Sequence, residues 1–312
     1  MEFYIGKEEK GISVLEFIRT RLGISRAMLR ELKYREGGIE VDGEHVTVRR
    51  ILAEGEVLSL KMEDDAASEN IVPTEMALDI AYEDDDLVIP AKPPFMPTHP
   101  SHLHHGDTLA DALAYRYLSS GEPFVFRPVN RLDRNTSGLL VIARNRIAAA
   151  KLTRSMQERG FSKKYIAILD GVIPEDSGVI DTYMRRTAES IIVREVCDAC
   201  EGADRAITKY RVILRSPAHT LVMAEPITGR THQIRVHFAH LGAPLVGDDL
   251  YGKESEDIER HALHSHALVL PHPSTGEELF LSAPLPEDMR SLAEKLFQKE
   301  DIDGEIQEAL GI

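Results

Sequence analysis

The chain has 312 residues, 43% of them hydrophobic and 29% charged, with a formal net charge of −15. This length accommodates one large domain and a small one, no apolar run is long enough to cross a bilayer, and the amino terminus, MEFYIGKEEKG, lacks the charged head and apolar run of a secretory signal. The two cysteines, Cys197 and Cys200, cannot supply a disulfide framework, so membrane and secreted classes give way to a cytoplasmic protein in a reducing compartment.

The acidity is uneven along the chain. Residues 1–62 carry 11 basic and 11 acidic side chains, whereas residues 63–86 carry ten acids and no base. Residues 127–165 hold ten Lys or Arg against Asp133 and Glu158, and the stretch from Gly252 to the end holds 14 acids and 5 bases. A polyanion responds to the local field of a basic stripe rather than to whole-chain charge. Nucleic acid therefore stays among the candidate partners.

In chain order, GISVLEFIRTRLGISRAMLRELKYREGG reads as two short helices. Ser13 can cap the first, which Gly23 stops, and Ser25 can cap the second. Arg26, Arg30 and Lys33 fall at i, i+4 and i+7, a basic stripe on the second helix. Short strands with turns at Asp42-Gly43 and Glu54-Gly55 follow. Two helices, a basic face and a small sheet resemble the alpha-L RNA-binding domain of a ribosomal protein, which bounds a first domain at 1–62. Residues 63–77 are acidic, rich in small residues and hold a proline, so they read as a linker.

Beyond it, ALDIAYEDDDLVIPAKPP reads as two strands around an acidic turn. DTLADALAYRYLSSGE is a helix with Asp107 as its cap, residues 139–143 a strand, 145–159 a basic helix and KYIAILDG a strand. AITKYRVILRSP and HTLVMAEP pair as a hairpin, and THQIRVHFAHLG is a helix ended by Gly242. Strands with interspersed helices give an α+β catalytic domain over 78–295, a mixed, largely antiparallel sheet flanked by helices. Residues 296–312 read as an acidic tail.

Two clusters invite a metal reading. Cys197 and Cys200 have zinc-ligand spacing but no matching second pair, so they read as free thiols. His99, His102, His104 and His105 crowd one polar loop, without an acidic ligand at helical spacing. A metal-dependent hydrolase using these histidines is one hypothesis, although the expected metal content is none. No GxGxxG or GxxxxGK[ST] occurs, so no nucleotide cofactor is expected.

The segment VNRLDRNTSGLLVIARN places Asp133 among Asn130, Arg131, Arg134, Asn135 and Arg144, just ahead of an apolar run. Residues 227–252, ITGRTHQIRVHFAHLGAPLVGDDLYG, place Arg230, His232 and Arg235 at the start of a helix, where they can meet a carboxylate or phosphate. Together the two segments resemble the RluA/RluD-type RNA pseudouridine synthases. The resemblance runs over most of residues 80–290. AKPPFMPTHP is similar to the family's first motif, RLDRNTSGLLVIAR to the second, KKYIAILDG read from Lys163 to its Lys-x-Tyr-x-Ala segment, and the residue 228–252 stretch to the third. Two departures stand out: Asn130 replaces the histidine usual before Arg-Leu-Asp, and Pro94-Phe95-Met96 stands where a glycine normally follows Lys-Pro.

The resemblance implies an isomerase that turns uridine into pseudouridine in structured RNA, ribosomal RNA favoured over transfer RNA, without a cofactor and as a monomer. It implies Asp133 as nucleophile, Tyr165 as the ring that stacks on the base, and Arg235 as the partner of the aspartate. RNA contacts are expected from Arg131, Asn130, Arg134, Lys92, His99, Lys164, Arg230 and His232, with Arg26, Arg30 and Lys33 on the first domain. Arg131 is placed to fill the gap left by a flipped base. Which atom Asp133 attacks, C1′ or C6, or whether it promotes proton loss from the ribose, stays open. A catalytically silent RNA-binding relative with the same pocket is the alternative reading.

Overall fold

The computed structural model describes residues 1–24, 26–62, 70–101, 104–122, 124–158 and 160–311. The first unit consists of β1 (Glu2–Tyr4), α1 (Val14–Thr20), α2 (Arg26–Tyr34), β2 (Ile39–Val41), β3 (Glu44–His45) and β4 (Val57–Leu60). Ser13 caps α1 as expected, its hydroxyl accepting from Glu16 N at 3.2 Å; Ser25 lies outside the described residues. Asp42 and Gly43 adopt φ of 49° and 82°, the turn that joins β2 to β3. The strands pair in the order β1-β4-β2-β3. Phe17, Ile18, Leu29, Leu32, Leu58 and Leu60 form one buried cluster between helices and sheet, each side chain contributing about 1.5–3 kcal/mol on burial.

Residues 70–77 have no regular structure but are not loose. Val72 N donates to Asp111 Oδ1 at 2.7 Å and Thr74 N to Asp111 O at 3.1 Å. The second half of the expected linker is thus fastened to a helix, while residues 63–69 lie outside the described residues.

The larger unit runs through β5 (Asp79–Glu83), β6 (Leu87–Lys92), α3 (Leu109–Ser119), β7 (Ser137–Leu139), β8 (Ile142–Ala143), α4 (Arg146–Gln157), β9 (Ser162–Asp170) and β10 (Ser177–Arg186). It continues with β11 (Arg194–Cys197), β12 (Asp204–Arg215), β13 (His219–Pro226), α5 (Gln233–His240), β14 (Leu263–Pro271), β15 (Glu278–Ser282), α6 (Glu287–Phe297) and α7 (Ile302–Leu310). One sheet of 11 strands has the order β11-β10-β12-β13-β9-β14-β7-β6-β5, with β15 on β14 and β8 on β6. All pairings are antiparallel except β14 with β7, so the mixed, largely antiparallel α+β expectation holds.

Alternation along the central strand β9 sets the layers. Tyr165, Ala167 and Leu169 enter a core shared with Leu109 and Leu113 of α3 and Phe238 of α5. Ile166 and Ile168 face the other way, into a core with Met289, Leu292 and Ile306 of α6 and α7. Gly138 is required where β7 meets β14: its φ is +107°, and a Cβ there would lie 2.2 Å from Ser265 O.

Several elements differ from expectation. The cap of α3 is Thr108, reciprocally bonded to Asp111, while Asp107 instead meets His104 Nδ1 at 2.6 Å. The strand expected at 139–143 splits into β7 and β8, because Pro90 on the facing β6 has no N–H to continue the ladder. Residues 296–312 contain α7, whose Ile302 and Ile306 are buried against α6. The two units meet at α4, where Ile147 is buried in the first unit's cluster and Arg146 pairs with Glu31 at 2.7 Å.

Candidate active site

Asp133 stands on the loop before β7, with its neighbour Leu132 buried in the core. Four polar anchors hold this loop by its backbone. Thr98 donates to Leu132 O at 2.8 Å, Lys92 to Arg134 O at 3.1 Å, Arg260 to Asn135 O at 3.1 Å, and Thr136 N closes a turn onto Asp133 O at 3.1 Å. The carboxylate faces a pocket whose opposite wall is the start of α5. Its Oδ2 lies 3.8 Å from His232 Nε2 and 3.9 Å from Arg235 Nη1.

Arg235 is 3% exposed, and its tighter partner is Asp248, 0% exposed, through hydrogen bonds of 2.8 and 2.6 Å. Burial works against the guanidinium charge, but the Asp248 hydrogen bond and charge, together with Asp133, leave its pKa raised. Its Cζ also sits 5.1 Å over the Tyr251 ring, whose hydroxyl meets His232 Nδ1 at 2.8 Å. His232 adopts a left-handed φ of 59° at the α5 start, which turns its ring toward Asp133. Burial lowers its pKa, against the opposing charge of Asp133. Asp248 and Tyr251 were not singled out in the sequence. Gly247 beside them has φ +73°, and a Cβ there would meet Arg260 O at 2.4 Å, so the turn that delivers Asp248 requires glycine.

Tyr165, on β9, lines the same pocket and is 7% exposed. Burial pushes its phenol up to about 12, with the Asp133 charge acting in the same direction, so the hydroxyl is neutral near pH 7.

The expected RNA contacts sort into three groups. Asn130, Arg131, Arg230 and His232 line the pocket with Asp133. Asn130 Oδ1 accepts from Val141 N at 2.8 Å, while its Nδ2 is buried without a partner. Arg134 and His99 are exposed nearby, Arg134 bonded to Phe95 O at 3.3 Å and His99 edge-on to Phe126. Arg26, Arg30 and Lys33 are exposed along α2. One expectation is corrected. Lys92 is 1% exposed and donates to Pro93 O, Met96 O and Arg134 O, so it braces the loop instead of reaching RNA. Burial brings its pKa down to about 7. Strand parity puts Lys163, not Lys164, on the Tyr165 side of β9 and in the pocket wall.

The histidine loop is placed apart from this pocket's lining. His104 is engaged by Asp107, His102 lies outside the described residues, and no metal-holding cluster occurs among the described residues. Cys197 ends β11, and both thiols are free. No helix among the described residues is long and apolar enough to cross a membrane.

Residues 86–240, which span Asp133, Tyr165 and Arg235, match the family described as RNA pseudouridylate synthase. Uncharacterized RNA pseudouridine synthase YjbO of Bacillus subtilis is 36% identical over 271 residues, covering 87% of this chain and 95% of that protein. The chain belongs to the RNA pseudouridine synthase family, isomerases that convert uridine in RNA to pseudouridine. Among its relatives is ribosomal large subunit pseudouridine synthase D of Pseudomonas aeruginosa, 35% identical over 278 residues and 85% of either chain. The solved structure of human RNA pseudouridylate synthase domain containing 1 superposes with a TM-score of 0.58 at 28% identity, covering 74% of this chain and 94% of that one.

Proposed function

We propose that this enzyme isomerises a uridine of large-subunit ribosomal RNA, with Asp133 as the nucleophile. The observation that carries the assignment is the convergence of Asp133, Tyr165 and Arg235, from three separate segments, on one pocket. The N1–C1′ bond breaks, the uracil turns, C5 bonds to C1′, and the proton C5 gives up is matched by one gained at N1. Nothing is oxidised or reduced, and the residues alone can carry the reaction. The carboxylate holds or activates the ribose fragment while the base turns. The Tyr165 ring offers the uracil a flat apolar face, and its hydroxyl can donate to a base edge. Arg235, fixed by Asp248, sets the field at the carboxylate. Arg131, exposed at the pocket mouth, fills the space of the extruded nucleotide. The ribosomal target follows from the name of the Pseudomonas relative. Residues 1–62 act as an alpha-L type docking unit through Arg26, Arg30 and Lys33. The enzyme works as a monomer in the cytoplasm, where the target RNA is.

The test pairs two measurements. Pseudouridine mapping in total RNA from cells with and without the gene should lose a site in ribosomal RNA. Asp133→Asn should reduce turnover at least about a thousandfold while RNA affinity stays within a few-fold. Turnover of that variant near the wild-type rate removes Asp133 as nucleophile, and a lost site in transfer RNA moves the substrate.

A further inference from the structure

Beside Tyr165, the pocket wall carries a cation that no protein group balances. Lys163 is 8% exposed and, among the described residues, its side chain has no hydrogen-bond or ion-pair partner. It lies on the Tyr165 side of β9. Its Nζ would be 3.9 Å from a Cβ built on Gly229, at the pocket's far lip. Burial alone lowers its pKa, and no carboxylate contributes. Asn130 lines the same pocket with a second unanswered donor, since its Nδ2 is buried and unpartnered. A buried charge without a partner costs stability. The fold keeps a largely buried lysine here, its ammonium not sealed from solvent, in a pocket read as the site of a polyanionic substrate.

We propose that the Lys163 ammonium neutralises an anionic oxygen of the target uridylate within the pocket. This rests on the reading of the pocket as the uridine site. Two oxygens of that nucleotide have this chemistry. One belongs to the phosphodiester flanking the flipped ribose. The other is a carbonyl oxygen of the detached uracil, because breaking N1–C1′ leaves the bonding electron pair on the base, where it spreads to O2 and O4. When C5 bonds to C1′ that charge is discharged; the C5 proton then leaves and N1 takes one up, so the sum remains an isomerisation.

The test uses the full chain and an RNA in which the wild-type enzyme has been shown to form pseudouridine. The pocket reading is then secured before the lysine is tested. Lys163→Met keeps the length of the side chain and removes the charge; Lys163→Arg keeps a charge. Lys163→Met is expected to melt at or above the wild-type temperature and to lose about tenfold or more in kcat/KM, with Lys163→Arg retaining more. A loss confined to kcat at saturating RNA assigns the uracil oxygen. A raised KM, with a salt slope shallower by about one unit, assigns the phosphate. The proposal is overturned by kcat and KM within about twofold of wild type, or by a lowered melting temperature for Lys163→Met, which would make the lysine a packing residue.

Discussion

At the pocket, Arg235 is buried and held in two hydrogen bonds by Asp248, whereas on α2 the side chains of Arg26, Arg30 and Lys33 stand in solvent. Both regions are basic and both are assigned to the same substrate. The difference lies in what each charge can do at a given cost. A guanidinium locked in low dielectric holds a fixed place among the carboxylates it faces, here Asp248 and Asp133. Solvated cations on a helix exchange partners freely and sense only the density of phosphates. The charge that fixes Asp133's surroundings is paired and immobile, whereas the charges proposed for docking are solvated and mobile.

The hardest blow to this contrast falls on Asp248. Replacing it with asparagine leaves the Arg235 charge buried with half its support, and breaking a buried pair in this way costs about 3–5 kcal/mol. Urea denaturation of Asp248→Asn should show that loss, and turnover should fall by about a hundredfold. Wild-type stability in this variant would mean that the buried pair does not fix the arginine.

Acid sharpens the same division. Burial, with the charge of His240, holds His237 down at about 4, and burial, with the charge of His266, holds His264 down at about 3. In the unfolded chain both protonate near pH 6.5, so unfolding takes up protons below that pH. Stability should fall from about pH 6.5 toward about pH 4, by up to about 1.4 kcal/mol per pH unit for each histidine. The first unit has one histidine, the exposed His45, and should share little of this loss. Denaturation midpoints across that range, compared with His264→Gln, measure the slope; an equally steep variant would place the acid sensitivity elsewhere.

On the docking side, the triple change Arg26→Ala, Arg30→Ala, Lys33→Ala should raise KM by about tenfold and flatten the salt dependence by two to three units. The saturating rate should stay near wild type, since remote contacts grip substrate and transition state alike. A drop in kcat at unchanged KM would show instead that the helix orients the target uridine, and the contrast between docking and chemistry would dissolve.

The smallest effect concerns Phe95, which has a φ of 65° where the resemblance leads one to expect glycine. It is held there by Lys92 on Met96 O and by Arg134 on its own carbonyl. Phe95→Gly should stabilise the loop by no more than about 1 kcal/mol, read as a slight rise in melting temperature without change in kcat.

Much of the pocket was legible in the sequence because its residues sit in contiguous motifs around Asp133, Tyr165 and Arg235. What was hidden depends on chain reversal or strand parity. Asp248 reaches Arg235 only after the turn through Gly247, a tertiary event that no local pattern signals. Lys163 and Lys164 are chemically equal, and only the register set by Tyr165 separates them. Strand β10 alternates in burial, but two of its inward positions are Gly178 and Thr182 while Val179 and Tyr183 face outward, so the hydrophobic alternation by which a strand is read is missing from its sequence. In α7 the acids masked Ile302, Ile306 and Leu310, which recur at helical spacing on one face.

The seam between the two units has a consequence for ancestry. Glu31 binds Arg35, just past the end of its helix, at 3.2 Å and Arg146 at 2.7 Å across the seam, beside the buried Ile147. The first unit closes its own hydrophobic interior around residues from Ile5 to Leu60, borrowing Ile147 from α4. A seam of this kind makes the front unit a cassette. A recombined replacement needs an apolar surface over Ile147 and an acid opposite Arg146. Descendants of such a chain can then exchange the front unit while inheriting the pocket intact.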